Sequence, residues 1–249
     1  MRNDLKFKDK VVLVTGSAKG IGKSIGLLFA QGGARVVINY LNSEKEAKET
    51  LNEINKISDG IILKCDVSQE IQVKEMIEKV IKEYGRLDIL VNNAGGYIEG
   101  DEWNGTSDIW EKTLKQNLIS VMNTSKYATE IFQKQKNGII VNISSRYSIS
   151  GNFDEIAYAT SKAGVISITQ AYAKLLNPFG RANAISPGAT NSGYWLCAPE
   201  EELKQVISSS PHKRLINPEE IAKVVLFLAS DESLMITGQN ILVDGGNNI

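Results

Sequence analysis

The sequence predicts an α/β fold: a doubly wound parallel sheet of about seven strands with helices on both faces, formed as a single domain over residues 1–249. Three observations predict it. Short β-branched apolar runs alternate with longer amphipathic segments along the whole chain, which is the order that βαβ units and a parallel sheet require. A glycine-rich stretch, TGSAKGIG from Thr15 to Gly22, closes the first apolar run and opens the first amphipathic segment. No internal repeat, low-complexity tract or linker divides the chain, and at 249 residues a single core is the default.

The strands are expected at Val11 to Thr15, Arg35 to Asn39, Ile61 to Cys65, Leu87 to Val91, Gly138 to Ile143, Arg181 to Ile185 and Asn240 to Val243. Most are short and rich in β-branched apolar residues, as strands covered by helices on each side must be. Helical periodicity fills most gaps: Gly20 to Gln31, Ser43 to Lys56, Gln69 to Glu83, Thr106 to Gln135, Ile156 to Asn177 and Pro218 to Ala229. The last has a clear start, with Asn217 before Pro218 and Glu219 and Glu220 behind it. Gly188 to Lys213 lacks a strong period and is rich in Ser, Pro and Gly. It is expected to be a long functional loop over the site.

Lys plus Arg (28) nearly balance Asp plus Glu (29), leaving a net charge of -1, and no long run of either sign occurs. Nothing here calls for nucleic acid or an anionic membrane as a partner. The polar start MRNDLKFKDK leads straight into VVLV, too short for a secretory core, and runs such as Val224 to Ala229 fall far short of a spanning helix. A soluble, cytoplasmic protein is expected. Cys65 and Cys197 are the only cysteines, which makes a disulfide framework improbable and fits a reducing compartment. With His212 as the sole histidine, no zinc site of ordinary spacing can form, and no metal is expected.

Gly16, Gly20 and Gly22 sit between a strand and a helix, the context that gives a glycine pattern meaning. Glycines there permit a tight turn and close approach of backbone to a phosphate, and the free N–H groups at the helix start supply donors. Gly22, Lys23 and Ser24 also resemble the end of a triphosphate-binding loop. That loop needs glycine at position 17, which is Ser17, so the phosphoryl-transfer reading is set aside and Lys23 and Ser24 are read as solvated helix residues. A second constellation lies downstream: Ser145, then Tyr158 and Lys162 in YATSK. A dinucleotide cradle together with a hydroxyl that can be made acidic reads as nicotinamide-dependent oxidoreduction. A hydrolase built on Ser145 is excluded by the lone histidine and the lack of a GxSxG elbow.

These residues resemble the short-chain dehydrogenase/reductase family, classical type, over nearly the whole chain. TGSAKGIG is similar to the family's TGxxxGIG; Asp66 with Val67, NNAG at Asn92 to Gly95, Asn117 in KQNLIS, Ser145 in NISS, YATSK, and Pro187 with Gly188 follow in the family's order. The resemblance implies a Rossmann-type sheet and a catalytic set of Asn117, Ser145, Tyr158 and Lys162. Tyr158 and Lys162 share a helical face at the i, i+4 spacing, so the ammonium is expected to lower the phenol's pKa toward neutral and make Tyr158 the general acid/base. Ser145 would hydrogen-bond the reacting oxygen. By resemblance Asn117 would anchor a water on a proton path from Lys162.

The same resemblance implies a cofactor contact set: Gly16, Ser17, Lys19, Gly20, Ile21 and Gly22 at the phosphates, Asn39 and Tyr40 at the end of the second strand, Asp66 and Val67 at the adenine. Asn93, Ala94 and Gly95 fall beside the adenosine ribose, Tyr158 and Lys162 at the nicotinamide side, with Pro187, Gly188 and Ser192 completing it. No carboxylate ends the second strand in VVINYLNS, whereas Lys19 flanks the phosphate turn, so NADP(H) is expected in preference to NAD(H). Tyr97, Arg146, Tyr194 and Trp195 are the candidate substrate residues, with the 188–213 segment as substrate loop. Similarity to 3-oxoacyl-(acyl-carrier-protein) reductases implies a carbonyl substrate carried by an acyl-carrier protein. GYIEGDEWNG after NNAG, and Pro178 and Phe179 before the sixth strand, depart from their pattern, which leaves a sugar, polyol or xenobiotic carbonyl substrate as the alternative. A non-catalytic dinucleotide-binding protein would lack Tyr158, Lys162 or Ser145, and none is missing. Family members imply a homotetramer built on the long helices and the closing DGGNNI.

Overall fold

The computed structural model describes residues 6–248, so parts of MRNDLKFKDK and DGGNNI lie outside the described residues. The chain runs β1 (Val11–Val14), α1 (Gly20–Gln31), β2 (Arg35–Tyr40), α2 (Glu44–Ile54), β3 (Gly60–Lys64), α3 (Glu70–Tyr84) and β4 (Ile89–Asn92). It continues through α4 (Ser107–Leu114), a π-helical turn (Lys115–Ile119), α5 (Ser120–Gln135), β5 (Gly138–Ile143), α6 (Tyr147–Ser150) and α7 (Ile156–Leu176). β6 (Gly180–Pro187), α8 (Glu200–Ser209), α9 (Pro218–Ala229) and β7 (Asn240–Val243) complete it.

The strands form one seven-stranded sheet in the order β3-β2-β1-β4-β5-β6-β7. All pairings are parallel. The chain starts in the middle, winds out to β3, returns to set β4 beside β1, and winds out the other way. A crevice therefore opens where the windings diverge, outside the carboxyl ends of β1 and β4. Alternate residues of a strand face opposite ways, and β1 shows why its sequence is unbroken apolar. Val12 and Val14 pack with Ile25 and Phe29 of α1 and Ile221, Val225 and Leu228 of α9. Val11 and Leu13 pack with Val73, Met76 and Val80 of α3, Phe132 of α5 and Leu176 of α7.

The expected α/β sheet is thus present, and β5 and β7 keep their expected bounds. Other boundaries move for local reasons. β1 stops at Val14 because Thr15 turns away, its hydroxyl accepting the N–H groups of Asn93 and Ala94 at 3.0 and 3.0 Å. β4 begins at Ile89 because Leu87 instead exchanges bonds with the Gln135 side chain. The expected helix from Thr106 to Gln135 is interrupted by the π turn around Asn117, a correction taken up with the site below. α8 corrects the reading of Gly188 to Lys213 as loop: Pro199 leads into Glu200, Glu201 and Glu202, acids that suit a helix start. α9 starts as expected, with Asn217 and Glu220 forming a reciprocal capping box behind Pro218.

At the amino ends of the strands, opposite the crevice, Asp88 is 1% exposed. Its carboxylate accepts the N–H of Val11 at 2.9 Å and the Arg86 guanidinium at 2.8 Å. Truncation strands the buried Val11 N–H, while Arg86, nearly half exposed, turns to solvent. Asp88→Ala is therefore expected to lower the unfolding free energy by about 2 kcal/mol, read as a drop in urea midpoint at constant slope.

Candidate active site

A cleft of about 510 Å³ occupies the crevice, bounded on one side by Gly16, Lys19, Gly20, Ile21 and Asn93 and on the other by Ser145, Arg146 and Tyr158. The glycine turn forms its floor. Gly16 and Gly20 have φ of +62 and +60°, the left-handed region that glycine adopts without a Cβ penalty. A Cβ at Gly22 would meet the Asn93 amide and the Gly16 carbonyl at 2.6 Å each, so glycine there lets the helix start lie directly on the turn. α1 has no acidic residue in its first turn, which leaves its positive end open to an anion.

The turn is braced from beneath by residues expected at the cofactor. Asn39 is 2% exposed; its Oδ1 accepts the Gly16 N–H at 3.1 Å and its Nδ2 donates to the Cys65 carbonyl at 3.0 Å. Ser17 is buried and donates to the Val14 carbonyl at 2.7 Å, and Asn93 donates to the Thr15 and Gly16 carbonyls at 3.0 Å each. The side chains of Asn39 and Ser17 are thereby engaged inward. Lys19 is exposed on the rim, Tyr40 and Val67 are 8% exposed, and Asp66 caps its own turn by accepting the Ser68 N–H at 2.9 Å. Lys23 pairs with Glu53 of α2 at 2.8 Å, as a solvated helix residue would.

Opposite the turn, β5 leads into Ser144 and Ser145, which face different ways. Ser144 donates to the Lys162 carbonyl at 2.8 Å and so holds α7 to the sheet. Ser145 is 7% exposed; its hydroxyl accepts the Tyr147 N–H at 3.2 Å and favours the ionised form of the neighbouring Tyr158. Lys162 is 3% exposed, its ammonium donating to the Ile143 carbonyl at 2.9 Å and lying 5.7 Å from the centroid of the Tyr158 ring. Asn117, fully buried in the π turn, grips the Gly96 backbone from both ends: Oδ1 accepts its N–H at 2.8 Å and Nδ2 donates to its carbonyl at 2.9 Å. A π turn displaces the helix register by one residue, and this one aims an amide at the strand end. A Cβ at Gly95 would lie 2.5 Å from Asn117 Oδ1 and 3.5 Å from Lys162 Nζ, so the three elements meet at Gly95.

The expectation that Lys162 brings the phenol toward neutral pH is corrected by burial. Desolvation pushes the Tyr158 hydroxyl up to about 12, opposed by the Ser145 hydroxyl and reinforced by the charge of Glu155. Desolvation also brings Lys162 down to about 8. In this environment Tyr158 is a protonated donor at pH 7, and Lys162 is the group that discharges just above it.

The four candidate substrate residues come together at the cleft's mouth. The rings of Tyr97 and Tyr194 meet edge-on at 6.1 Å and those of Tyr194 and Trp195 at 5.4 Å. Tyr194 also donates to Glu202 of α8, fastening the segment after β6 to the helix that sequence reasoning missed. Arg146 lies over the Tyr147 ring at 4.8 Å. Ser192 touches the turn, its Cβ 3.3 Å from where a Cβ on Gly20 would stand, and Pro187 and Gly188 line the cleft. Glu102, Asp154 and Glu155 line it as well and were not foreseen. Burial pushes the Glu155 carboxyl up to about 7, Asp101 adding to the rise and Arg146 opposing it. Among the described residues no group of three or more His, Cys, Asp or Glu gathers as a metal would need, and no helix is long and apolar enough to cross a membrane.

The family profile described as enoyl-(acyl carrier protein) reductase matches residues 16–248. The 3-oxoacyl-(acyl-carrier-protein) reductase FabG of Thermotoga maritima is 41% identical over 248 residues, covering 97% of this chain and 99% of the relative. The chain belongs to the short-chain dehydrogenase/reductase family. An uncharacterized oxidoreductase of the same organism is 38% identical over 98% of this chain and 99% of its own length. FabG of Staphylococcus aureus is 36% identical over 95% of this chain and 97% of its own. This dehydrogenase/reductase is accordingly an oxidoreductase of CH–OH and C=O groups that uses a nicotinamide dinucleotide. The bare glycine turn and the open end of α1 fit that cofactor, which supplies or takes a hydride when bound.

The sign of the pH dependence follows from the half-buried Tyr158 and the buried Lys162. Tyr158, at about 12, stays protonated through neutral and mildly alkaline conditions, whereas Lys162 loses its charge as pH rises through about 8. For carbonyl reduction, kcat/KM for the dinucleotide reports the free protein and is expected to be level to about pH 8 and to decline above it. Lys162→Arg, whose cation does not discharge, should move that limb to higher pH.

Proposed function

We propose that this protein is an NADP(H)-dependent reductase that converts a 3-oxoacyl thioester, presented by an acyl-carrier protein, to the 3-hydroxyacyl product. The observation that carries the chemical part is that Tyr158 and Ser145 line the same cleft, with the Lys162 ammonium buried 5.7 Å from the centroid of the Tyr158 ring. In this reading Ser145 donates to the ketone oxygen and polarises it. Tyr158 gives its proton to that oxygen as the carbonyl carbon accepts hydride, so the C=O bond becomes CH–OH and the phenolate is left. Lys162 stabilises that phenolate by its charge. Asn117, gripping Gly96 beside Lys162, holds the outer end of the proton path.

The thioester and carrier rest on the two reductases named for that substrate, which match this chain over nearly its full length. NADP(H) is supported at the end of β2: Asn39 and Tyr40 stand where an acid would repel a 2′-phosphate, and the exposed Lys19 supplies a cation beside the turn. The proposed contact set is the one expected above, with Asn39 and Ser17 acting from beneath the turn. Exposed Ile119, Met122 and Leu175, on the π turn, α5 and α7, supply an apolar surface for the proposed homotetramer, and the cytoplasm is its proposed compartment.

The test is turnover of acetoacetyl thioesters, aliphatic ketones and sugars, followed by NADPH and NADH absorbance. Thioesters are expected to give the highest kcat/KM, with NADPH preferred by about tenfold or more. Tyr158→Phe should lower kcat by roughly 10² to 10⁴ and leave NADPH binding intact. Turnover confined to sugars would remove the thioester, and full activity of Tyr158→Phe would remove the mechanism.

A further inference from the structure

We propose that Asp101, in the segment between β4 and α4, is a positioning residue for proton transfer by Tyr158 and acts through the first turn of α7. This rests on the reading of Tyr158 as acid/base. The first N–H groups of a helix have no partner within it. α7 offers none of its own: Glu155, at the cap position, makes no side-chain cap, and no acid occupies the first turn. Instead one distant residue takes three consecutive donors. The N–H of Ile156 goes to the Asp101 carbonyl at 2.9 Å, that of Ala157 to Oδ1 at 3.0 Å and that of Tyr158 to Oδ2 at 2.7 Å. Asp101 is 0% exposed.

The last of these bonds is the shortest and belongs to Tyr158 itself. A carboxylate makes shorter and stronger bonds to N–H groups than a neutral acceptor, and its charge suits the positive end of a helix. A second tie, from the Trp103 N–H to the Phe153 carbonyl at 2.9 Å, joins the same two segments. The segment carrying Asp101 begins at Gly96, whose backbone Asn117 grips. Tyr158 is thus referenced to the β4 end of the cleft, where the glycine turn lies, as well as to Ser145 on the β5 side. Misplacement of a reacting group by about 1 Å costs roughly a hundredfold in rate.

The charged groups around this turn are Glu102 on the loop, Glu155 and Asp154 before α7, Arg146 beside α6 and Glu202 on α8. Because they stay in place in every variant, pH profiles are comparable across the set. The experiment compares Asp101→Ala and Asp101→Asn with Asp88→Asn, which alters a buried carboxylate at the opposite end of the sheet. Asp101→Ala is expected to lower kcat by roughly tenfold or more with the NADPH dissociation constant nearly unchanged, and to shift the alkaline limb of the pH profile. Amide exchange at residues 156–158 should accelerate. Asp101→Asn, keeping one oxygen acceptor and the side-chain volume, should recover part of kcat. Asp88→Asn should lower the melting temperature and leave kcat and the pH profile alone.

The proposal is overturned if Asp101→Ala behaves as Asp88→Asn does, losing stability while keeping the wild-type kcat and pH profile. Should Asp101→Ala not fold, Asp101→Asn decides on the same readouts. Undiminished activity in Tyr158→Phe would instead sink the acid/base reading, and amide exchange at 156–158 would still report on Asp101 separately.

Discussion

The site depends on the crevice between the carboxyl ends of β1 and β4 being held at one width. Parallel strands end together but do not tie their ends, so something must bridge the gap where the winding reverses. Thr15 and Asn93 do this reciprocally: the Thr15 hydroxyl accepts two N–H groups from the β4 side, and the Asn93 amide returns two bonds to carbonyls of the β1 side. Asn39 completes the brace from β2 by fixing the Gly16 N–H. These groups are buried or partly buried, so each would be costly to leave without its partner. A rigid phosphate turn on one side and a rigid strand end on the other follow from the same few amides.

How much of this is legible in the sequence depends on the range over which each feature is determined. VVLV announces a strand covered on both faces because neighbouring residues alone carry that pattern, and Asn217-Pro218 announces a helix start within four residues. TGSAKGIG and YATSK are similarly local. The π turn is not: helices on either side of Asn117 keep an amphipathic pattern, and the reason for the extra residue is Gly96, 21 positions away. α8 escaped because it is short and its apolar stripe, Leu203, Val206 and Ile207, is only half-buried, so its periodicity is weak beside the Ser- and Pro-containing stretch around it. Asp101 escaped because its partners lie 56 and 57 positions downstream, although the acid in GYIEGDEWNG stood in the segment already noted as unusual.

The electrostatics were the least legible part. Spacing places a lysine one turn from a tyrosine, and in water the cation would favour the phenolate. The fold instead removes water from both, and desolvation acts in opposite directions on an acid that ionises to an anion and a base that ionises to a cation. Tyr158 rises and Lys162 falls. Sequence spacing cannot report that, because desolvation is set by β5, α7 and the loop after β4 together.

In the proposed reductase reading this reversal keeps Tyr158 protonated until hydride arrives. A proton donor to a ketone oxygen must be protonated when hydride arrives, and a hydroxyl at about 12 is fully so at neutral pH. The developing alkoxide is a stronger base than the phenolate left behind, so transfer is downhill once hydride has moved. In the proposed mechanism the Ser145 hydroxyl, on the same cleft wall as Tyr158, would share that charge. Lys162, near its own midpoint at about 8, can hold charge in the resting site and still give up a proton when the phenolate forms beside it. The two shifts produced by one burial thus set the phenol well above the ammonium, so that return of a proton from Lys162 to the phenolate is downhill.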